Sequence, residues 1–307
     1  MVRYEMSTKL PEELQRYLDE KDWKNYTRLC SRYNIEPTEY FKQLPNCKMV
    51  TSDLLVLDMD ELTNFQFFDD ITLFNIIELR VVGNRDTKPF ILSSLNNYHL
   101  PNLIRLSVQN PLGQIECLDY LNIPSLTSLS LKTRVRNIRR LEMGNLLNLS
   151  IRENSLWDMS LDFLNNSEME SLNKLSVFGS STENNMRLDN IDWARYPLLQ
   201  SLIISRLSLN RYHFVTIDSR LEDLKQLNSL QLLSGTLNVQ GKVRLDGLTH
   251  ASLILRNIGD LQGLTLPNIK YLYVKILFPN IDYQHKLVSQ IQEIIGNDQV
   301  KIRQLPT

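Results

Sequence analysis

The sequence predicts an α/β solenoid, with one curved parallel sheet of about ten or eleven strands and helical caps at both ends. Three observations predict it. The stretch LLNLSIREN at residues 146–154 alternates apolar residues as a half-buried strand does, yet it is too short to stand alone as a sheet. The same offsets return along the chain, centred on Leu57, Leu79, Leu106, Leu129, Leu149, Leu175, Leu202, Leu230, Leu253 and Leu272. Pro101, Pro124, Pro197 and Pro267 each lie five residues before a centre, where a proline closes a loop without removing a ladder hydrogen bond.

Each centre is preceded three residues earlier by an apolar residue, with His250 before Leu253 the one exception. Successive spacings of 22, 27, 23, 20, 26, 27, 28, 23 and 19 residues fall in or beside the leucine-rich-repeat range of about 20–29. Spacings of this size leave room for the crossover that parallel strands require. The connectors are uneven, short at EMGNLLN and long at SSTENNMRLDNIDWARY, so short 3₁₀ turns are expected on the convex side instead of one repeated helix.

Residues 1–50 break the pattern. Leu10, Leu14 and Leu18 share a helical face, as do Trp23, Tyr26, Leu29, Cys30 and Tyr33, with Asp22 placed to cap a second helix. Two or three helices covering the apolar end of the first repeat are expected here. Residues 51–280 form the solenoid. In residues 281–307, Leu287, Ile291 and Ile294 mark a helical face, Gly296 and Asn297 a stop, and QVKIRQ a last strand that closes the edge.

Composition narrows the function classes. With 34 Lys and Arg against 35 Asp and Glu the net charge is −1, which argues against a nucleic-acid or membrane binder. Cys30, Cys47 and Cys117 show no paired spacing, as suits a reducing compartment. The first residues are acidic and lack an apolar core segment, and no run approaches a membrane span, so a cytoplasmic or nuclear location is expected. His99, His213, His250 and His285 have no ligand spacing, and neither a nucleophile elbow nor a phosphate-binding loop occurs. Asp58, Asp60, Glu61, Asp69 and Asp70 read as solvated acidic surface. No catalytic residue, metal or cofactor is expected.

The expectation is therefore a protein-binding surface. Side chains alternate across a strand, so the residues between the core positions line the concave face, where solenoids bind. The repeat register places Phe178, Ile203, Leu233, Ile254, Tyr271 and Tyr273 there, with Arg152, Arg256 and Lys275 beside them. Such a surface suits a partner segment with an apolar anchor and an acidic or phosphorylated flank. The alternative is that the C-terminal helix folds over these residues. The run KTRVRNIRR (Lys132, Arg134, Arg136, Arg139 and Arg140) is either a solvated loop or a receptor for an acidic peptide.

The N-terminal stretch LPEELQRYLDEKDWKNYTRLCSRYN resembles the F-box. Leu10, Pro11, Glu13 and Leu14 match its opening, Leu18, Asp19 and Asp22 its turn, and Tyr26, Leu29 and Cys30 its following helix. The LPNL entries into the strands look like those of fungal F-box proteins with leucine-rich repeats. The resemblance implies a substrate receptor of an SKP–cullin–F-box ubiquitin ligase, with Leu10, Pro11, Leu14 and Leu18 facing the adaptor and the solenoid choosing the substrate. About one helical turn of the family pattern is missing between Leu14 and Leu18. The other reading of the whole chain is a leucine-rich-repeat scaffold or regulatory subunit outside any ligase.

Overall fold

A computed structural model describes residues 12–33, 35, 38–41, 47–51, 53–58, 76–83, 90–97, 100–119, 121–135, 138–152, 161–179, 186–206, 214–233, 235–277 and 284–304. Three helices come first: α1 (Glu12–Asp19), α2 (Trp23–Tyr33) and α3 (Thr38–Phe41). Strands β1 (Cys47–Thr51), β2 (Leu54–Asp58), β3 (Glu78–Val82), β4 (Phe90–Ile91), β5 (Arg105–Cys117), β6 (Ser128–Val135) and β7 (Asn148–Arg152) follow. Then come α4 (Phe163–Asn166), β8 (Lys174–Gly179), β9 (Met186–Arg187), β10 (Ser201–Arg206), β11 (Phe214–Ile217), β12 (Ser229–Leu233), β13 (Thr236–Val239) and β14 (Val243–Arg244). The chain continues through β15 (His250–Leu255), β16 (Leu264–Thr265), β17 (Tyr271–Ile276), α5 (Gln284–Ile295) and β18 (Lys301–Gln304).

The result is a solenoid built on one 13-stranded sheet, ordered β1-β2-β3-β5-β6-β7-β8-β10-β12-β15-β17-β18 with β4 beside β5. Every described pairing in it is parallel except β1 with β2, an antiparallel hairpin at the N-terminal edge. Two smaller parallel sheets, β13-β11-β9 and β14-β16, lie in the connectors, so the expectation of a single sheet is incomplete. The connectors also carry 3₁₀ turns at Leu92–Asn97, Trp193–Arg195, Ser219–Asp223 and Ile258–Leu261.

One turn accounts for most of the repeats. Ahead of eight strands a backbone N–H reaches back three residues: Leu103 to Leu100, Leu126 to Ile123, Leu146 to Met143, Leu172 to Met169, Leu199 to Tyr196, Leu227 to Leu224, Leu248 to Leu245 and Ile269 to Leu266. Both end residues of each turn are buried, so the turn points two side chains inward and then releases the chain into a strand. Pro101, Pro124, Pro197 and Pro267 occupy the second position, where a proline's fixed φ suits a β-turn. Just past the turn one carbonyl accepts two N–H groups from the next repeat, as Thr249 O does from Lys270 and Tyr271.

That ladder of carbonyls, Asp53, Ile77, Ile104, Thr127, Leu147, Asn173, Gln200, Asn228, Thr249 and Lys270, fixes the register and corrects two centres. Leu55, not Leu57, pairs with Leu79. Ala251, not Leu253, pairs with both Leu230 and Leu272. With the ninth centre at Ala251 the residue three earlier is buried Leu248, and the His250 exception disappears.

The core is one continuous apolar cluster from Leu55 to Val300. Trp193 and Tyr196 are fully buried in it, and each donates its polar hydrogen to a backbone carbonyl: Trp193 Nε1 to Leu188 O at 3.0 Å and Tyr196 Oη to Leu164 O at 2.6 Å. At the C-terminal end Ile291 and Ile295 of α5 enter the core, while Ile294 is exposed. The buried face of α5 therefore follows i, i+4 from Ile291 and not the expected Ile291–Ile294 pairing. Asn297 then donates to Pro267 O and Ile269 O, and β18 adds in parallel to β17. Gly263, at φ +90, shows how tightly the connectors stack, because a Cβ there would lie 2.2 Å from Gly241 O.

The N-terminal helices keep a separate core of Leu14, Tyr26, Leu29 and Cys30, packed by Tyr17, Leu18, Trp23, Ile35 and Tyr40. Asp22 caps α2, its carboxylate accepting from the Asn25 N–H and side chain, and these hydrogen bonds hold its pKa below the ordinary value. Among these residues only Tyr40 also touches the solenoid core.

Candidate functional site: the open face of the sheet

Alternation leaves three outward rows on the main sheet. The pairings align the first as Leu54, Glu78, Arg105, Ser128, Asn148, Lys174, Ser201, Ser229, His250, Tyr271 and Lys301. The second is Val56, Arg80, Ser107, Ser130, Ser150, Ser176, Ile203, Gln231, Ser252, Tyr273 and Arg303. The third runs from Asp58 through Val82, Gln109, Lys132, Arg152, Phe178, Ser205, Leu233 and Ile254 to Lys275. Register correction thus moves Asp58 and Ile254 out of the middle row and puts Val56 and Ser252 there.

Charge on this face is lopsided. Among the described side chains, Arg80, Arg105, Lys132, Arg152, Lys174, Lys275, Lys301 and Arg303 stand against Glu78. Glu78 is already held: Arg80 Nε binds one carboxylate oxygen and Arg105 Nε the other at 2.9 Å. Partial burial works to raise the Glu78 carboxyl, but the two guanidiniums outweigh it and keep the pKa below its usual value. From β5 to β18 no outward position in the three rows carries a carboxylate. Other acids of the described chain, such as Asp119, Glu142, Asp189, Asp218 and Asp246, sit in the connectors. A chain of nearly zero net charge therefore presents one basic sheet face.

The expected site residues divide into three groups. Arg152, Phe178, Ile203, Leu233, Tyr271, Tyr273 and Lys275 lie on the open face, exposed or half-buried. The α5 helix packs on β16 and the Ile258–Leu261 turn, behind the sheet. Arg152 lies over the Phe178 ring at 4.9 Å. Tyr271 stacks on His250 at 5.0 Å, with Lys301 Nζ 5.6 Å from its ring centre.

Ile254 is a correction to an expected exposed anchor. It points out of the sheet but is only 3% exposed, and it stands outside the main core cluster. Arg256 is another, because it lies past the end of the third row and is tied down. Its N–H donates to Asp260 at 2.6 Å, and its guanidinium lies 3.5 Å from the same carboxylate and 4.5 Å over Phe214. Arg256 thus anchors the connector.

At the N-terminus, Leu14 is fully buried in the helical core and Leu18 half-buried, while Leu10 and Pro11 lie outside the described residues. A side chain with no exposed surface makes no direct contact with a partner, so Leu14 is a correction to the expected adaptor surface. Asp60, Glu61, Asp69, Asp70, Arg136, His99 and His213 also lie outside the described residues.

The basic run around residues 132–140 is divided by the fold. Lys132 is exposed on the open face, whereas Arg139 and Arg140 sit in the connector beside a cavity of about 420 Å³ lined by Asn165, Asn166, Glu168 and Arg195. Arg140 pairs there with Glu142 and Glu168, and Arg139 lies 4.0 Å from Asp119. These two arginines are balanced by carboxylates and form no common surface with Lys132.

Among the described residues no three His, Cys, Asp or Glu side chains converge, and no helix is long and apolar enough to cross a membrane. Comparison of the chain with family models, with curated proteins and with solved structures gives no match in any of the three.

Proposed function

We propose that this chain is a non-enzymatic protein-interaction molecule: a leucine-rich-repeat solenoid that holds a partner protein on the open face of its sheet. The observation that carries the reading is the charge segregation of that face, eight basic residues against one acidic residue among the described side chains, in a chain of net charge −1. Aromatic and aliphatic side chains at the same surface supply the apolar part of an interface. The specific form of the proposal is a substrate receptor of an SKP–cullin–F-box ubiquitin ligase, working in the cytoplasm or nucleus, with the N-terminal helices as the adaptor-docking unit. Support for that form is the separate small core of α1 and α2, which makes them a unit distinct from the solenoid.

One observation favours a second reading, a scaffold or regulatory subunit outside any ligase. Leu14, which the F-box resemblance puts against the adaptor, is enclosed in the helical unit's own core. Titration of the full chain with a purified SKP-type adaptor separates the two. Micromolar or tighter binding, lost in the Leu10→Ala, Pro11→Ala, Leu18→Ala triple variant, is the expected result for a receptor. No binding at tens of micromolar adaptor removes the ligase form and leaves the scaffold.

A further inference from the structure

We propose that the third outward row of the sheet is a track for an extended acidic protein segment, crossing the strands from Arg152 through Phe178, Ser205, Leu233 and Ile254 to Lys275. The proposal rests on the protein-interaction reading above, but it uses none of the adaptor-docking residues. The pairings place these six side chains on successive strands β7, β8, β10, β12, β15 and β17. The order is a cation, an aromatic ring, a hydroxyl, two aliphatic groups and a second cation. Arg152 and Lys275 form no ion pair among the described residues. Lys132, one strand earlier in the same row, and Lys174 in the first row add positive charge at the Arg152 end.

The spacing defines the ligand. Five strand-to-strand steps of about 4.8 Å separate Arg152 from Lys275 by about 24 Å. An extended peptide covers that distance in about seven residues. Alternate side chains of such a peptide face the sheet, so two carboxylates that both reach it stand about eight positions apart. Leu233 falls about four positions after the first carboxylate, while Ile254, 3% exposed, forms the floor of the row. Arginine suits the bidentate carboxylate contact, and burying the half-buried Leu233 supplies the apolar part.

A protein segment fits this row better than a single-stranded nucleic acid does. Nucleic-acid tracks present free aromatic faces for base stacking. Here Phe178 is covered by Arg152, Tyr271 is paired with His250 and Lys301, and the middle of the row is aliphatic.

The test uses fluorescence anisotropy on the full chain with a labelled peptide of about fourteen residues, carrying glutamates about eight positions apart and a leucine about four after the first. Saturable binding that weakens with added salt is expected. It should fall about tenfold or more in Arg152→Glu or Lys275→Glu, and by a similar factor when the leucine becomes serine. A peptide with lysines replacing the glutamates should recover binding to the Arg152→Glu, Lys275→Glu double variant. Both positions have solvent access, so unchanged thermal unfolding of the variants shows that the fold is retained. Binding indifferent to both reversals, absence of binding at several hundred micromolar peptide, or tighter binding of a single-stranded oligonucleotide overturns the track. Adaptor binding measured on the same variants separates the two claims, because neither charge reversal touches α1 or α2.

Discussion

The two cores of this protein obey different rules. In the solenoid each repeat hands its apolar residues to the next, and the cluster grows without interruption from Leu55 to Val300. In the helical unit four buried residues close on themselves, and among the described residues Tyr40 alone packs against both cores. A core that grows in one dimension gains nearest-neighbour stabilisation at every repeat. A unit of about thirty residues falls below the size at which a single apolar core normally suffices. The comparison teaches where a partner has leverage: a ligand binding only the folded helices stabilises them by mass action, and the solenoid has less need of it.

The largest expected effect comes from breaking the one-dimensional core at its middle. Leu149 is 1% exposed and stacked between Leu129 and Leu175. Leu149→Asp buries a carboxylate with nothing to neutralise it, at a cost of several kcal/mol or a strong upward pKa shift. The array should lose cooperativity there, with amide exchange rising in β6, β7 and β8 while α1 and α2 keep their protection. Uniform exchange across both units would show that the cores are one cooperative body.

The second effect is smaller and confined to the other core. Leu14→Ala removes a fully buried side chain from a cluster of four, and such truncations cost roughly 2–5 kcal/mol. That is enough to unfold so small a unit. Circular dichroism should show loss of α1 and α2, with the main thermal transition of the sheet unchanged. A fall in the main transition by several degrees would mean that the helices act as a cap on the solenoid.

The same contrast explains what was legible in the sequence. The repeat was readable because a solenoid core recurs at fixed offsets, and eight of ten centres sit where the leucine pattern put them. The two slips share a cause. A strand's side-chain period is two, so a row of apolar residues matches the pattern equally well two places on. Leu55 and Leu57 are interchangeable by that criterion, and Ala251 lost to Leu253 because a small residue fills its core position. The signal that resolves the second slip was present in Leu248, buried at the end of its turn. The short sheets in the connectors left no such mark, since a two-residue strand such as β14 exists through its neighbour β16 and has no period of its own. The charge segregation of the open face was hidden for the same reason as the slips: rows can be summed only once the register is right. Leu14 was placed toward an adaptor by the F-box resemblance, and its burial in the helices' own core was not legible there, because a motif match compares residue types and not what they pack against.

A third prediction tests a hydrogen bond between adjacent repeats. Tyr196 Oη donates to Leu164 O at 2.6 Å inside the core, and burial pushes the phenol's pKa well above its ordinary value. Tyr196→Phe keeps the ring and strips the donor, leaving Leu164 O with the longer hydrogen bond from the Ser167 N–H at 3.3 Å. About 1 kcal/mol should be lost in urea denaturation with little change in the slope. A loss below a few tenths would show that the carbonyl is satisfied without the tyrosine.

The smallest effect depends on pH and belongs to the solenoid alone. The Asp189 carboxylate is buried, and it accepts from Arg187 Nη2 at 2.8 Å and Nε at 3.2 Å. Those bonds lower its pKa against the opposing push of burial, so the folded value lies below the unfolded value of about 3.9. The unfolded chain therefore binds the proton first as pH falls, and stability rises with pH between the two values. Above about pH 4 the contribution is present in full, and it disappears as pH drops through the folded pKa. Arg187 is 63% exposed, so water screens the pair and keeps the effect small. Asp189→Asn removes the titration: its stability deficit relative to the natural chain should hold constant from pH 7 to about 5 and shrink toward pH 3. A deficit of equal size at pH 7 and pH 3 in urea denaturation would mean that packing at this site, and not the Arg187 pairing, is what Asp189 contributes.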